Sequence, residues 1–129
     1  MLLYAVTKFV VYILWCLLGQ YLFTRPSFGG AIAYGAVRWI LGFVFGVGAA
    51  LALGSVSQEN VTELYFGIYI PLRVIEWSIM VCLIGNFKTL RANPKAWLWI
   101  LGGIAVSFAS DFMSPDGMEG RFCVGRCLC

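Results

Sequence analysis

The sequence predicts an all-α integral membrane protein: an up-down bundle of four transmembrane helices followed by a short cysteine-containing C-terminal tail. Three observations predict it. Hydrophobic residues make up 61% of the 129 residues and charged ones only 12%, a balance outside the range of soluble domains. The mean hydropathy is +0.88. The apolar residues also gather into four long runs, separated by short stretches rich in Pro, Gly, Ser, Asn and basic residues.

Each run approaches or meets the roughly 20 residues that a helix needs to cross a bilayer. The first span covers about residues 3–23; no small-residue cleavage pattern follows it, so it reads as a retained span and not a secretory signal. Pro26 with Gly29 and Gly30 is expected to keep the chain out of helix after it. The second span, about 31–54, ends at the polar SVSQENVT. The third, about 63–85, leads into NFKTLRANPK, read as a basic loop. The fourth, about 96–113, is the shortest. Residues 1–113 then form one transmembrane domain, and 114–129 an extramembrane, cysteine-rich tail. Loops of this size join antiparallel neighbours.

Orientation follows from where Lys and Arg collect. Arg25, Lys88, Arg91 and Lys95 share one face, against Lys8, Arg121 and Arg126 on the other. That bias puts both termini on the non-cytoplasmic side. Trp97 and Trp99, at the start of the fourth span, fit an interfacial aromatic belt.

Within this apolar frame the stretch PLRVIEWSIM places Arg73 and Glu76 near the middle of the third span. A charge there costs roughly 2.5 to 3.5 kcal/mol on insertion scales, so it needs a partner. Residues three apart on a helix share a face, and these two can bond to one another. The same face carries Tyr65, Tyr69 and Met80, giving a polar stripe on an otherwise apolar helix. Pro71 beside it lacks an amide hydrogen and frees the carbonyl of Gly67.

Arg38 of the second span lies at a similar depth, so Glu76 is expected to accept from Arg38 and Arg73 together. Asp111 and Glu63 fall near the outer boundary and are expected to be poorly placed to neutralise the trio. A surplus positive charge remains, to be met by a lipid phosphate, a carboxylate of another subunit, a quinone or pigment carbonyl, or a transported anion. The alternative is that Arg38 snorkels to the interface and only the neutral Arg73 and Glu76 pair is buried.

In the second span small residues recur every four positions at Gly42, Gly46, Ala50 and Gly54. Such a GxxxG-type seam lets another helix approach closely. It serves as a docking face for a further subunit or, more commonly, as a contact with a neighbouring span of the same chain.

The cysteines are read by place. Cys16 and Cys82 lie within spans and are packing residues. Cys123, Cys127 and Cys129 form C-x3-C-x-C, one ligand short of the usual four, and no histidine is present to complete a site. No metal is expected. In an oxidising compartment the tail reads as one disulfide with a thiol left over; facing the cytoplasm, as free or acylated thiols.

The stretch GGAIAYGAVRW resembles the glycine-rich opening of small four-helix fluoride channels over about a dozen residues. The polar asparagine and phenylalanine motifs of such channels do not follow it, and no family is assigned on it.

The absence of histidine removes the commonest acid/base at neutral pH, and no C-x-x-C pair or carboxylate cluster stands in for it. Catalysis is not expected, a thiol redox membrane protein being the remote enzymatic alternative. The net charge of +3 carries no Lys/Arg stripe, so nucleic acid is not expected as a partner. What fits is a small non-catalytic membrane subunit or assembly and stabilising factor of a larger complex. It would have no intrinsic cofactor, with a bound lipid, pigment or quinone as its acceptor and membrane lipids and other integral subunits as partners. The alternative is a small homo-oligomeric transporter or ion channel, with Arg38, Arg73 and Glu76 lining an anion or proton-coupled path.

Overall fold

A computed structural model describes residues 2–53 and 61–113, with the side chains of all of these except 2, 3, 50, 52, 53 and 61–65. Every element among the described residues is an α-helix: α1 Leu2–Phe23, α2 Phe28–Leu53, α3 Val61–Ile84, α4 Phe87–Ala92 and α5 Pro94–Phe112. Three segments are long and apolar enough to cross a membrane, Tyr4–Phe23, Phe28–Ala49 and Phe66–Ile84. The 19-residue α5 is not among them. Lys95, Ser107, Ser110 and Asp111 dilute its apolar content.

Two local expectations are corrected. Gly29 and Gly30 do not break the helix but form the first turn of α2, which starts at Phe28. Ser27 starts it: its Oγ accepts from the Gly30 amide at 3.4 Å and its carbonyl from the Ala31 amide at 2.8 Å, satisfying donors that a helix start otherwise leaves free. The buried Gln20 holds this turn, its Oε1 accepting from the Ser27 amide at 2.7 Å.

The second correction concerns NFKTLRANPK, which is not a plain loop but contains α4. Its two asparagines are caps. Asn86 accepts from the Thr89 amide at 2.9 Å to start α4, and Asn93 accepts from the Lys95 amide at 3.0 Å to start α5, with Pro94 in the first turn.

The helix α1 touches α2, α3 and α5, while α3 touches α2 and α5, so the four long helices close into a ring with an additional contact between α1 and α3. Cross-helix pairs run in opposite chain order, as with Trp15 to Trp99 and Lys8 to Asp111 between α1 and α5, which makes those neighbours antiparallel. Inward-facing positions follow the helical period: Tyr12, Cys16, Gly19 and Gln20 on α1, and Arg73, Glu76, Trp77, Met80, Val81 and Ile84 on α3. The outside carries the reverse chemistry. Val10, Leu14, Leu18, Ile40, Val44, Ile75, Leu83, Leu98 and Leu101 are exposed, while Gln20, Arg38, Arg73, Glu76, Ser107, Ser110 and Asp111 are buried. Charges inside and greasy side chains outside suit a lipid solvent and not water.

Tryptophans fill the middle of the ring. Trp15 and Trp99 stack at 6.3 Å and clasp α1 to α5 reciprocally, each indole N–H donating to the other's carbonyl, at 3.3 and 3.2 Å. Trp99 also meets Trp77 edge-on at 5.0 Å. Only Trp97 is placed as a belt residue would be, half exposed, whereas Trp99 is core. Gly103 makes the room, since a Cβ there would lie 2.6 Å from Trp77 Cδ2.

The small residues of α2 are placed in part. At Gly35 of α2 a Cβ would come within 3.2 Å of the Ile13 amide nitrogen of α1. At Gly42 the neighbour is not a helix but Nη1 of Arg38, 3.1 Å from where a Cβ would sit. Gly46 is buried, the Ala50 side chain is not described, and Gly54 lies outside the described residues.

Candidate functional site

Four helices contribute to one buried chain of alternating charge. It begins at Lys8 of α1, which is ion-paired with Oδ1 of Asp111 at the end of α5. The other oxygen of Asp111 accepts from Arg73 Nη2 of α3 at 2.9 Å. Arg73 Nη1 lies 3.5 Å from Oε2 of Glu76, one turn along the same helix. That same oxygen accepts from Arg38 Nη2 of α2 at 2.6 Å. The order is Lys8, Asp111, Arg73, Glu76, Arg38: cation, anion, cation, anion, cation. A carboxylate between two cations is held by both, which offsets part of the desolvation that each charge incurs away from water.

Burial deepens along this ladder. The Lys8 and Asp111 side chains keep 13% and 11% of their surface, whereas the Arg38 side chain keeps 0%. The outer end is finished by Tyr4, whose hydroxyl donates to Asp111 Oδ1 at 2.9 Å and accepts from Lys8 Nζ at 2.8 Å. The inner end is finished by aromatic faces. The Arg38 guanidinium carbon lies 4.9 Å from the Tyr12 ring centre and 4.8 Å from that of Trp77. Such contacts contribute up to about 2 kcal/mol once desolvated. Trp77 is itself fixed by Nε1 donating to Ser107 Oγ at 3.2 Å, and Ser107 is anchored in turn as its carbonyl accepts from Ser110 Oγ at 2.7 Å.

The sequence-derived candidates separate accordingly. Arg38, Arg73 and Glu76 are brought together, and Tyr69 joins them with its ring 6.0 Å from the Arg73 guanidinium carbon. The side chain of Tyr65 is not described, and Cys123, Cys127 and Cys129 lie outside the described residues. Cys16 is buried and Cys82 half-buried, both as free thiols. Snorkelling of Arg38 is contradicted by its complete burial. Asp111 is the main correction: far from being poorly placed, it bridges Lys8 and Arg73. The flexible Lys8 and Arg73 side chains reach it across a distance that counting helical rise alone does not cover. Lys8, Tyr4, Tyr12 and Ser107 were missed with it. One signal was readable: in an antiparallel pairing of the first and last helices, positions 4 to 8 fall opposite position 111.

Two chemical consequences follow. Three cations face two carboxylates, so among the described residues the ladder has a surplus of one positive charge. Both carboxylates are also engaged by two cations each, which suits fixed structure more than proton exchange. Among the described residues no three of Cys, Asp and Glu gather as a metal site needs. Comparison of the chain with protein-family models, curated proteins and solved structures gives no match.

Proposed function

We propose that this chain is a small non-catalytic integral membrane subunit or assembly factor of a larger membrane complex, with all four long helices spanning the bilayer. The observation that carries the reading is the ladder from Lys8 to Arg38, which spends every described buried charge on tying four helices to one another. A bundle fixed from within presents a rigid apolar exterior to lipids and neighbouring subunits, which bind through packing. The exterior aromatic and branched residues of α2, among them Trp39, Ile40, Phe43 and Val44, supply such a face.

Orientation in this reading follows the exposed basic residues. Arg25, Lys88, Arg91 and Lys95 all lie at the end of the bundle that holds the α1–α2 turn and α4. That end faces the cytoplasm and the two termini face away from it. The transporter reading is weaker, because Arg38 ends the ladder fully buried under Tyr12 and Trp77. Mild extraction from the native membrane tests the choice. Co-purification of unlike integral membrane chains in fixed ratio is expected, and a pure homo-oligomer that conducts anions in vesicles contradicts it.

A further inference from the structure

The basic residues left outside the ladder share one end of the molecule. Lys8, Arg38 and Arg73 are ion-paired, whereas Arg25, Lys88, Arg91 and Lys95 are exposed and, among the described residues, have no carboxylate within ion-pair distance. None of the six acidic residues of the sequence falls in the two segments that build this end, 23–31 and 84–98. The caps preserve that imbalance. Asn86 and Asn93 start α4 and α5 with neutral side chains, where aspartate would cap as well, and neither helix has an acidic residue in its first turn.

Local packing decides which way these charges face. The helix α4 touches both α3 and α5, and its Leu90 packs against the core of the bundle. Thr89 holds the turn, donating to Asn86 Oδ1 through its amide at 2.9 Å and its hydroxyl at 3.1 Å. With Leu90 turned inward, a rotation of about 100° per residue puts Phe87, Arg91 and Lys88 side by side on the outward arc, and all three are exposed. Lys95 and Trp97 follow at the start of α5, on either side of the buried Ala96, and are exposed as well. Exposed aromatic rings are unfavourable in bulk water but favoured at the boundary between headgroups and acyl chains. Three cations stand beside the two rings.

We propose that α4 and the first turn of α5 form a binding site for an anionic glycerophospholipid, its phosphate met by Lys88, Arg91 and Lys95 and its acyl chains starting against Phe87 and Trp97. Basic residues clustered just outside a span attract anionic headgroups. In phosphatidylcholine the choline cancels the phosphate, so unopposed cations select a headgroup of net negative charge. The inference rests on the membrane-spanning reading proposed above and on no partner subunit.

Lipid quenching of the full chain tests it, in phosphatidylcholine vesicles at low ionic strength. Phosphatidylglycerol with brominated acyl chains, a contact quencher of tryptophan, replaces part of the lipid, and brominated phosphatidylcholine is the reference. The difference between the wild-type chain and Trp97→Phe isolates the Trp97 signal. Half-quenching is expected at a mole fraction of brominated phosphatidylglycerol on the order of tenfold below that of brominated phosphatidylcholine, a preference that shrinks with added salt. Lys88→Gln, Arg91→Gln and Lys95→Gln combined are expected to abolish the preference, and Lys88→Arg, Arg91→Lys and Lys95→Arg combined to keep it. Equal quenching by the two lipids overturns the proposal. So does a preference undiminished in the glutamine variant, or one removed by millimolar inorganic phosphate at constant ionic strength, which makes a free anion the ligand. Should the glutamine variant not fold, Arg91→Gln serves alone: a preference cut by about twofold or more supports the site, and an unchanged one overturns it. A chain that fails to insert into vesicles at all overturns the membrane-spanning reading together with this one, whereas insertion without lipid preference overturns this one alone.

Discussion

Arg73 Nη2 lies 2.9 Å from Oδ2 of Asp111, a residue 38 positions further along the chain. This contact joins the pair made by Lys8 and Asp111 to the trio made by Arg73, Glu76 and Arg38. Removing the carboxylate should therefore leave two largely buried cations short of an acceptor. Asp111→Asn is expected to destabilise the bundle by about 3 to 5 kcal/mol. Lys95→Gln, at an exposed position, is expected to change it by less than about 0.5 kcal/mol. Denaturant unfolding of both variants in micelles checks the contrast.

Glu76→Gln should match Asp111→Asn in severity, since each carboxylate bridges two cations. Sequence reasoning ranks Glu76 well above Asp111, so equal losses in the yield of folded protein distinguish the ladder from an isolated trio.

Gly103→Ala should destabilise by about 1 to 3 kcal/mol, as overpacking does. Its Cβ would lie 2.6 Å from two carbons of Trp77, inside the indole that also stacks on Arg38. Gly48→Ala, facing open space on the exposed side of α2, is expected to be neutral or slightly stabilising. Unfolding midpoints of the two variants measure the difference.

Trp99→Phe should cost more than Trp15→Phe. Each loses one indole hydrogen bond, contributing about 0.5 to 1.5 kcal/mol. Trp99 in addition loses shape against both Trp77 and Phe23, whose rings it meets at 5.0 and 5.9 Å. Paired thermal unfolding curves give the order.

Much of the helix layout was legible, because the apolar runs and the break at Pro26 are local signals. The turn at Pro26 and the positions of α1, α2 and α3 follow from them within a few residues. What was not legible arose from flexible side chains and small local bonds. Gly29 and Gly30 read as breakers, yet Ser27 and Gln20 supply acceptors that let the helix begin there. The α4 turn hid in a basic stretch because its signal is two asparagine caps and no apolar period. In the site, Arg73 and Glu76 announce themselves by adjacency on one helix. Asp111 does not, because its partners come from α1 and α3 and depend on how the last helix packs. On α2 a glycine serves a nearby side chain as readily as a neighbouring helix, as where Gly42 faces Arg38.

The most direct test of the buried ladder is a double-mutant cycle on Arg73 and Asp111, read by reversible unfolding of the wild-type chain, Arg73→Met, Asp111→Leu and the double variant. Two side chains bonded within the bundle should show a favourable coupling of about 0.5 to 3 kcal/mol, with the double variant losing less than the sum of the single ones. Additive losses, with no coupling beyond about 0.3 kcal/mol, would mean the two groups do not meet, and would contradict a ladder that ties the helices together.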